Sequence, residues 1–131
     1  MEIRTEDARK ILKKQILLKD AIIQWGNTAG LIAGLMKTDY DLIGRSLQDV
    51  IIEPIRSILI PGFSEIKKAA VDAGALGCSI SGSGPSIFAL SKTRGTAEQV
   101  GLAMQNKFQS LEINSEIYVS KINQNGPVIL T

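Results

Sequence analysis

The polar chemistry of this sequence concentrates at three places. The first is Ser81-Gly82-Ser83-Gly84, followed by Pro85 and Ser86. Gly82 and Gly84 can adopt positive φ, which lets another backbone or an anionic ligand come close, and consecutive amides in such a turn can form an anion-binding nest to which the hydroxyls of Ser81, Ser83 and Ser86 add. A tight hairpin turn built of small residues explains the same pattern, so both readings stand. The loop is not a general nucleotide fingerprint: Ile87 occupies the place of the third glycine of G-x-G-x-x-G, and no Gly-Lys-Ser/Thr follows. The second place is Thr5 with Arg9, four residues apart and so on one side of a helix start. Spacing alone makes Thr5 an N-cap and Arg9 a solvated cation. The third is Arg56, just after Pro54, with Glu53 and Asp49 near enough in sequence to pair with it or orient it.

The 131 residues contain no histidine and one cysteine. Ser-His-Asp and Cys-His catalysis are therefore excluded, along with most zinc sites. Any chemistry must use carboxylates, arginines, lysines, hydroxyls or backbone amides. Cys78 cannot form an internal disulfide, which fits a reducing cytoplasm, and in a β-prone run it reads as a small buried apolar residue.

Two β-prone runs, 78–81 and 86–90, flank the glycine loop and predict a hairpin. Upstream, Leu18, Ala21, Ile22, Trp25, Ala29, Ile32, Ala33 and Met36 trace one apolar face of a helix over 18–36. With Ile23, Leu31 and Leu35 broadening that face, the helix is expected to be largely enclosed and Trp25 to anchor the core. Gly26, Gly30 and Gly34 recur every four residues, a spacing that permits close helix packing. Thr38 or Asp39 is expected to cap a short helix through Leu42 and Ile43. Pro54 requires a break or a helix start. Pro61-Gly62 opens a further helix carrying Ile66, Ala69, Ala70 and Ala73, which Gly74 ends. After the hairpin, Thr96 with Gln99 reads as a capping box for a helix with Val100, Ala103, Met104, Phe108 and Leu111 toward the sheet. Alternation at Ile113, Ser115, Ile117 and Val119 predicts a strand to about residue 122, and Val128, Ile129 and Leu130 a short edge strand.

These elements make one α+β domain with mainly antiparallel pairing and helices packed on one face. The net charge of +2 is too small for a nucleic-acid footprint, and no run approaches ~20 consecutive apolar residues, the length that spans a bilayer. The N-terminus lacks the pattern of a signal peptide.

Residues 77–90, G-C-S-I-S-G-S-G-P-S-I-F-A-L, resemble the C-terminal glycine motif of the GHMP kinases, and within them the homoserine kinases most closely. Residues 49–63, D-V-I-I-E-P-I-R-S-I-L-I-P-G-F, are similar to another run of those enzymes at the expected distance, and T-E-D-A-R at 5–9 resembles their T-x-x-A-R segment. The resemblance covers nearly the whole chain. It implies a ferredoxin-like C-terminal GHMP kinase domain over residues 1–131, part of an enzyme of threonine biosynthesis that transfers the γ-phosphoryl group of ATP to the side-chain hydroxyl of L-homoserine. By that resemblance Thr5, Arg9 and Arg56 hold the amino acid, the two guanidinium groups gripping its carboxylate. Ser81, Gly82, Ser83 and Gly84 would close or brace the phosphate site. No catalytic base and no metal ligand is assigned to this chain.

The family's P-x-x-x-G-L-G-S-S-A phosphate loop and its magnesium carboxylate belong to an N-terminal ATP-binding domain, and nothing here matches them. ATP and Mg²⁺ are accordingly expected to be held by the full-length enzyme and not tightly by this chain alone, which is expected to be inactive. A stand-alone ferredoxin-like module that binds an amino acid without chemistry is the alternative. Apolar surface left uncovered by the N-terminal domain further predicts a homodimer.

Overall fold

A computed structural model describes residues 3–127 and 129. The chain opens with α1 (Thr5–Lys10), whose short length is supported by Arg4–Asp7 and Lys10–Glu6 ion pairs. Glu6 and Asp7 lie in its first turn, where the helix dipole favours negative charge, but Thr5 is not its cap. Arg4 holds the N-cap position and no side chain bonds the free amides.

The next elements are α2 (Leu18–Lys37) and α3 (Tyr40–Ser46), joined by a tight turn. Asp39 caps α3 by accepting from the Leu42 amide at 2.9 Å. The glycine spacing in α2 is explained here, because two of the three glycines face α3. A Cβ at Gly30 would lie 2.4 Å from Ser46 Oγ, and one at Gly34 would lie 2.9 Å from Ile43 Cγ1 and 3.0 Å from the Ile43 amide nitrogen. Gly26 has nothing within 4 Å. Gly34→Ala is therefore expected to destabilise the chain by roughly 1–3 kcal/mol, since backbone must move to admit the methyl. Gly26→Ala is expected to stabilise it by up to about 1 kcal/mol through helix propensity. Urea unfolding midpoints of the two variants check both signs.

Two expectations for α2 do not hold. The helix is not enclosed: of its residues only Ala21 and Gly34 are buried, and Trp25 is 63% exposed. Its inward side is instead built of small residues and side-chain amides, Ala21, Gly30 and Gly34 beside Gln24 and Asn27. Asn27 Nδ2 donates to the Gln48 carbonyl and Gln24 Oε1 accepts from the Val50 amide, so side-chain amides join α2 to the chain that follows α3.

Pro54 starts a helix, α4 (Glu53–Arg56), which runs into a single 3₁₀ turn, Ser57–Leu59. Gly62, at φ 71°, leads into α5 (Phe63–Asp72), and Gly74, at φ 101°, follows its end. The hairpin is β1 (Gly77–Ile80) with β2 (Ile87–Leu90), antiparallel, with Cys78 opposite Ala89 and Ile80 opposite Ile87. The last helix, α6 (Arg94–Ser110), starts one turn earlier than the capping-box pattern suggests. Thr93 is the N-cap and accepts from the Thr96 amide at 3.1 Å, which places Thr96 inside the helix. Helices α5 and α6 pack together over the Cys78 and Ala89 face of the hairpin, around a core of Ala70, Ala75, Cys78 and Val100. The result is an α+β domain.

The segment 113–122 forms no strand ladder among the described residues. Its alternation is real, with 113, 115, 117 and 119 turned inward and the residues between them exposed. The inward side meets α6 rather than β2: Ile117 packs on Gly101, and Gln105 Nε2 donates to the Ser115 carbonyl. An open groove of about 610 Å³ is lined by this segment together with β2 and α6. The expected edge strand at Val128, Ile129 and Leu130 lies outside the described residues except for Ile129, which is exposed. Among the described residues no helix is long and apolar enough to cross a membrane.

Candidate functional site

The glycine loop joins two strands in tight register, and its backbone is partly fixed from within. Ser81 N–H donates to the Ser86 carbonyl at 2.8 Å and Gly84 N–H to the Ser81 carbonyl at 3.1 Å. Gly82 and Gly84 take φ of 60° and 82°, the left-handed region that favours glycine. Two amides of the four-residue loop are thus engaged. Those of Gly82 and Ser83 have no partner among the described residues, so the nest is smaller than the sequence suggests.

Two distant parts of the chain converge on this loop. From α4, Arg56 Nη1 donates to the Gly82 carbonyl at 2.6 Å. From α1, Thr5 Oγ1 lies 3.4 Å from Ser83 Oγ. Thr5, Arg56 and the loop are therefore brought together, across 78 and 26 residues of sequence. Arg9, one helical turn beyond Thr5, is exposed, and no hydrogen bond or ion pair among the described residues involves its side chain. The other charged side chains of that helix end are paired to each other.

Arg56 keeps a donor in reserve. Its Nε is buried and has no hydrogen-bond partner among the described residues. A buried guanidinium N–H normally has one. With Nη1 fixed on Gly82, the side-on edge of the guanidinium, Nε with Nη2, is the edge that a carboxylate accepts in bidentate fashion. A small cavity of about 120 Å³ adjoins it, lined by Asp49, Glu53, Arg56, Ser79 and Gly82 among others. The larger groove beside β2 contains none of Thr5, Arg9 and Arg56.

Neither carboxylate expected to pair with Arg56 does so. Asp49 Oδ1 accepts from the amides of Ile51 and Ile52 at 2.9 and 2.8 Å, closing the turn before α4. Glu53 instead pairs with Lys67 of α5 and accepts from Ser79 Oγ of β1 at 2.6 Å. Its side chain is only 12% exposed. This cluster was not legible as a unit, since its members lie 14 and 26 residues from Glu53. The available signal was Ser79, a hydroxyl between Cys78 and Ile80 in an otherwise apolar strand, which a buried strand must bond to something. Cys78 itself is fully buried, and desolvation pushes its thiol up to about 11, with a smaller opposing pull from Lys67 and a push from Glu53. It is a neutral packing group and not a nucleophile.

The family profile of the GHMP kinases C terminal matches residues 31–110, which contain Arg56 and the glycine hairpin. The chain is 55% identical to homoserine kinase of Chlorobium phaeobacteroides and 38% identical to that of Pyrococcus abyssi, over 98% and 92% of its length. It spans 41% and 40% of those relatives. The crystal structure of homoserine kinase from Cytophaga hutchinsonii superposes with a TM-score of 0.95 at 59% identity, over 99% of this chain and 41% of that one. That agreement covers the helices and hairpin that carry Arg56 and the loop. The chain belongs to the GHMP kinase family, as its C-terminal domain.

Proposed function

We propose that this chain is the acceptor-gripping part of a homoserine kinase, an enzyme that moves the γ-phosphoryl group of ATP to the side-chain hydroxyl of L-homoserine in threonine biosynthesis in the cytoplasm. The observation that carries the reading is Arg56, fixed to the Gly82 carbonyl by one nitrogen and left with a buried, unpartnered Nε. One side of the guanidinium thereby rests on the loop while the other takes the α-carboxylate of the amino acid. Arg9 adds the second cation, and Thr5 ties α1 to the loop at Ser83. Ser81, Gly82, Ser83 and Gly84 brace the phosphate site, with the Gly82 and Ser83 amides available to it.

Phosphoryl transfer depends on positioning and on neutralising phosphate charge. Among the described residues no group of three carboxylate or cysteine side chains could hold a metal ion, so Mg²⁺ would come with the nucleotide and with the remainder of the enzyme. The contribution of these residues is to orient the acceptor and fix the loop.

The test is a coupled ADP-release assay with L-homoserine. The chain alone is expected to show no turnover, and the chain fused behind the N-terminal part of the Chlorobium enzyme is expected to restore it. Turnover by the chain alone would overturn the division of labour. A fused protein that binds ATP yet leaves homoserine untouched, with calorimetry showing tight homoserine binding by the chain alone, would favour a stand-alone amino-acid-binding module.

A further inference from the structure

Two stretches of this chain have the form of strands and lack a strand's partners. The first is the outer edge of β2. Ser81 and Leu76 donate to the Ser86 and Leu90 carbonyls, which by alternation sets Ser86, Phe88 and Leu90 toward β1. Ile87, Ala89 and Ser91 then turn their N–H and C=O groups the other way, where the sheet has no further strand among the described residues. The second stretch is 114–122. It alternates between exposed and half-buried residues as far as 120, yet none of its amides meets a backbone carbonyl among the described residues.

Both stretches line the open groove of about 610 Å³, and α6 reaches both. Met104 borders the same core as Ile87 and Ala89, while Gly101 carries Ile117. Each stretch also brings a buried hydroxyl with no partner among the described residues, Ser91 Oγ and Ser115 Oγ. Buried hydroxyls are normally bonded. A purely apolar ligand would leave both hydroxyls and both backbone edges unmet. An extended peptide meets them, because it carries donors and acceptors along both sides and sits ~4.8 Å from each neighbouring strand.

The start of the chain shows where such a peptide comes from. A Cβ at Gly84 would lie 3.5 Å from Ile3 Cδ1, and Thr5 Oγ1 lies 3.4 Å from Ser83 Oγ. Pro85 and Ser86, the next residues of that loop, already line the groove. A strand leaving the groove at this end reaches Ile3 within a few residues, having run antiparallel to β2, which begins here. The matched relatives supply such a segment: this chain spans 41% of the Chlorobium enzyme and corresponds to its C-terminal domain.

We infer that the groove seats one extended strand, the segment immediately preceding Met1 in the full-length enzyme, bonded to β2 on one side and to 114–122 on the other. Its expected length is about five or six residues, with apolar side chains alternating toward α6. Its end leads into Ile3 and Thr5, so the same strand fixes where α1 starts and where Arg9 stands. The inference rests on the fold and the family and assumes nothing about the acceptor.

The test compares amide hydrogen exchange in three chains. They are the 131-residue chain, the chain extended upstream by about ten residues from the corresponding place in the Chlorobium enzyme, and the same extension in scrambled order. With the native extension, exchange at Ile87, Ala89 and Ser91 and across 115–121 is expected to slow by ~100-fold or more, while Phe88 and Leu90, already bonded to β1, change little. A single proline at the centre of the extension is expected to cancel that gain, with every residue of the 131-residue chain left as it is. Equal slowing with native and scrambled extensions, or slowing on only one side of the groove, would overturn the inference. So would protection of Ile87 and Ala89 that the 131-residue chain shows by itself and that grows with concentration, since a second copy would then fill the groove. No substrate enters the measurement, so its failure leaves the acceptor assignment standing.

Discussion

In the full-length enzyme, Arg56→Ala is expected to lower kcat/KM for L-homoserine by roughly 10²–10³-fold while leaving the KM for ATP close to its original value. A charge-assisted hydrogen bond contributes about 1.5–3 kcal/mol, and the side-on contact has two. At 1.4 kcal/mol per factor of ten, losing both reaches that range after partial compensation by water and by Arg9. Arg56→Lys is expected to recover little, because an ammonium is a point donor that cannot hold the Gly82 carbonyl and span a carboxylate together. Specificity comes from comparing acceptors. The amino-alcohol that matches homoserine but lacks the carboxylate should be a poor substrate of the parent enzyme and an equally poor one of Arg56→Ala. If the substitution lowers turnover of that analogue as much as of homoserine, Arg56 acts by holding the loop and the carboxylate assignment fails. Arg9→Ala should show the same pattern at smaller amplitude, roughly 2–5-fold for a single exposed cation.

How far the sequence reveals this domain depends on the range of the interaction involved. Gly74 after α5, Asp39 before α3 and Pro54 at the start of α4 are set by contacts within about four residues, and the hairpin by pairs close in sequence around one turn, so periodicity or turn chemistry exposes them. The α2 stripe shows the opposite case. Spacing identifies Leu18, Ile22, Trp25, Ile32 and Met36 as sharing a face, but not whether that face looks in or out. The inward orientation is the default for a closed domain. Here it yields to Asn27 and Gln24, whose amides bond chain near Gln48 and Val50, more than twenty residues on.

The candidate site divides in the same way. The loop glycines can be read from their types, and Thr5, Arg9 and Arg56 from their resemblance to a family pattern. That Thr5 reaches Ser83 instead of capping its own helix cannot be read locally, because α1 is only six residues long and Ser83 lies 78 residues away in sequence. The strand expected from Ile113 to about residue 122 fails for a related reason. Its period-2 pattern is satisfied by the groove of α6 at Gly101, so inward and outward positions alternate without a ladder.

Glu53 is the residue whose loss the fold should tolerate least. Its carboxylate is 12% exposed and meets Lys67, itself 21% exposed, and Ser79. Removing one member of such a pair strands the other charge in a poorly solvated place, which costs about 3–5 kcal/mol. Against a total stability of about 5–15 kcal/mol typical of a domain, Glu53→Ala should therefore remove roughly a fifth or more. Glu53→Gln keeps an acceptor for Ser79 and should lose less, roughly 2 kcal/mol. Two controls separate this from a generic surface effect. Asp72→Ala breaks the Lys68–Asp72 pair, whose side chains are 75% and 62% exposed, and should change stability by less than ~0.5 kcal/mol. Combining Glu53→Leu with Lys67→Met removes both charges and should recover most of what Glu53→Ala loses, since no ion is left unpaired. Unfolding midpoints in urea decide the matter. A cost below ~1 kcal/mol for Glu53→Ala, or a double variant no better than the single, would mean the ammonium finds water in place of the carboxylate. The consequence reaches the site because Glu53 and Arg56 are the two ends of one helical turn. The first fastens that turn to α5 and β1 while the second fastens it to the loop at Gly82. Loosening the first end should then raise the KM for homoserine several-fold in Glu53→Gln, with the guanidinium itself untouched.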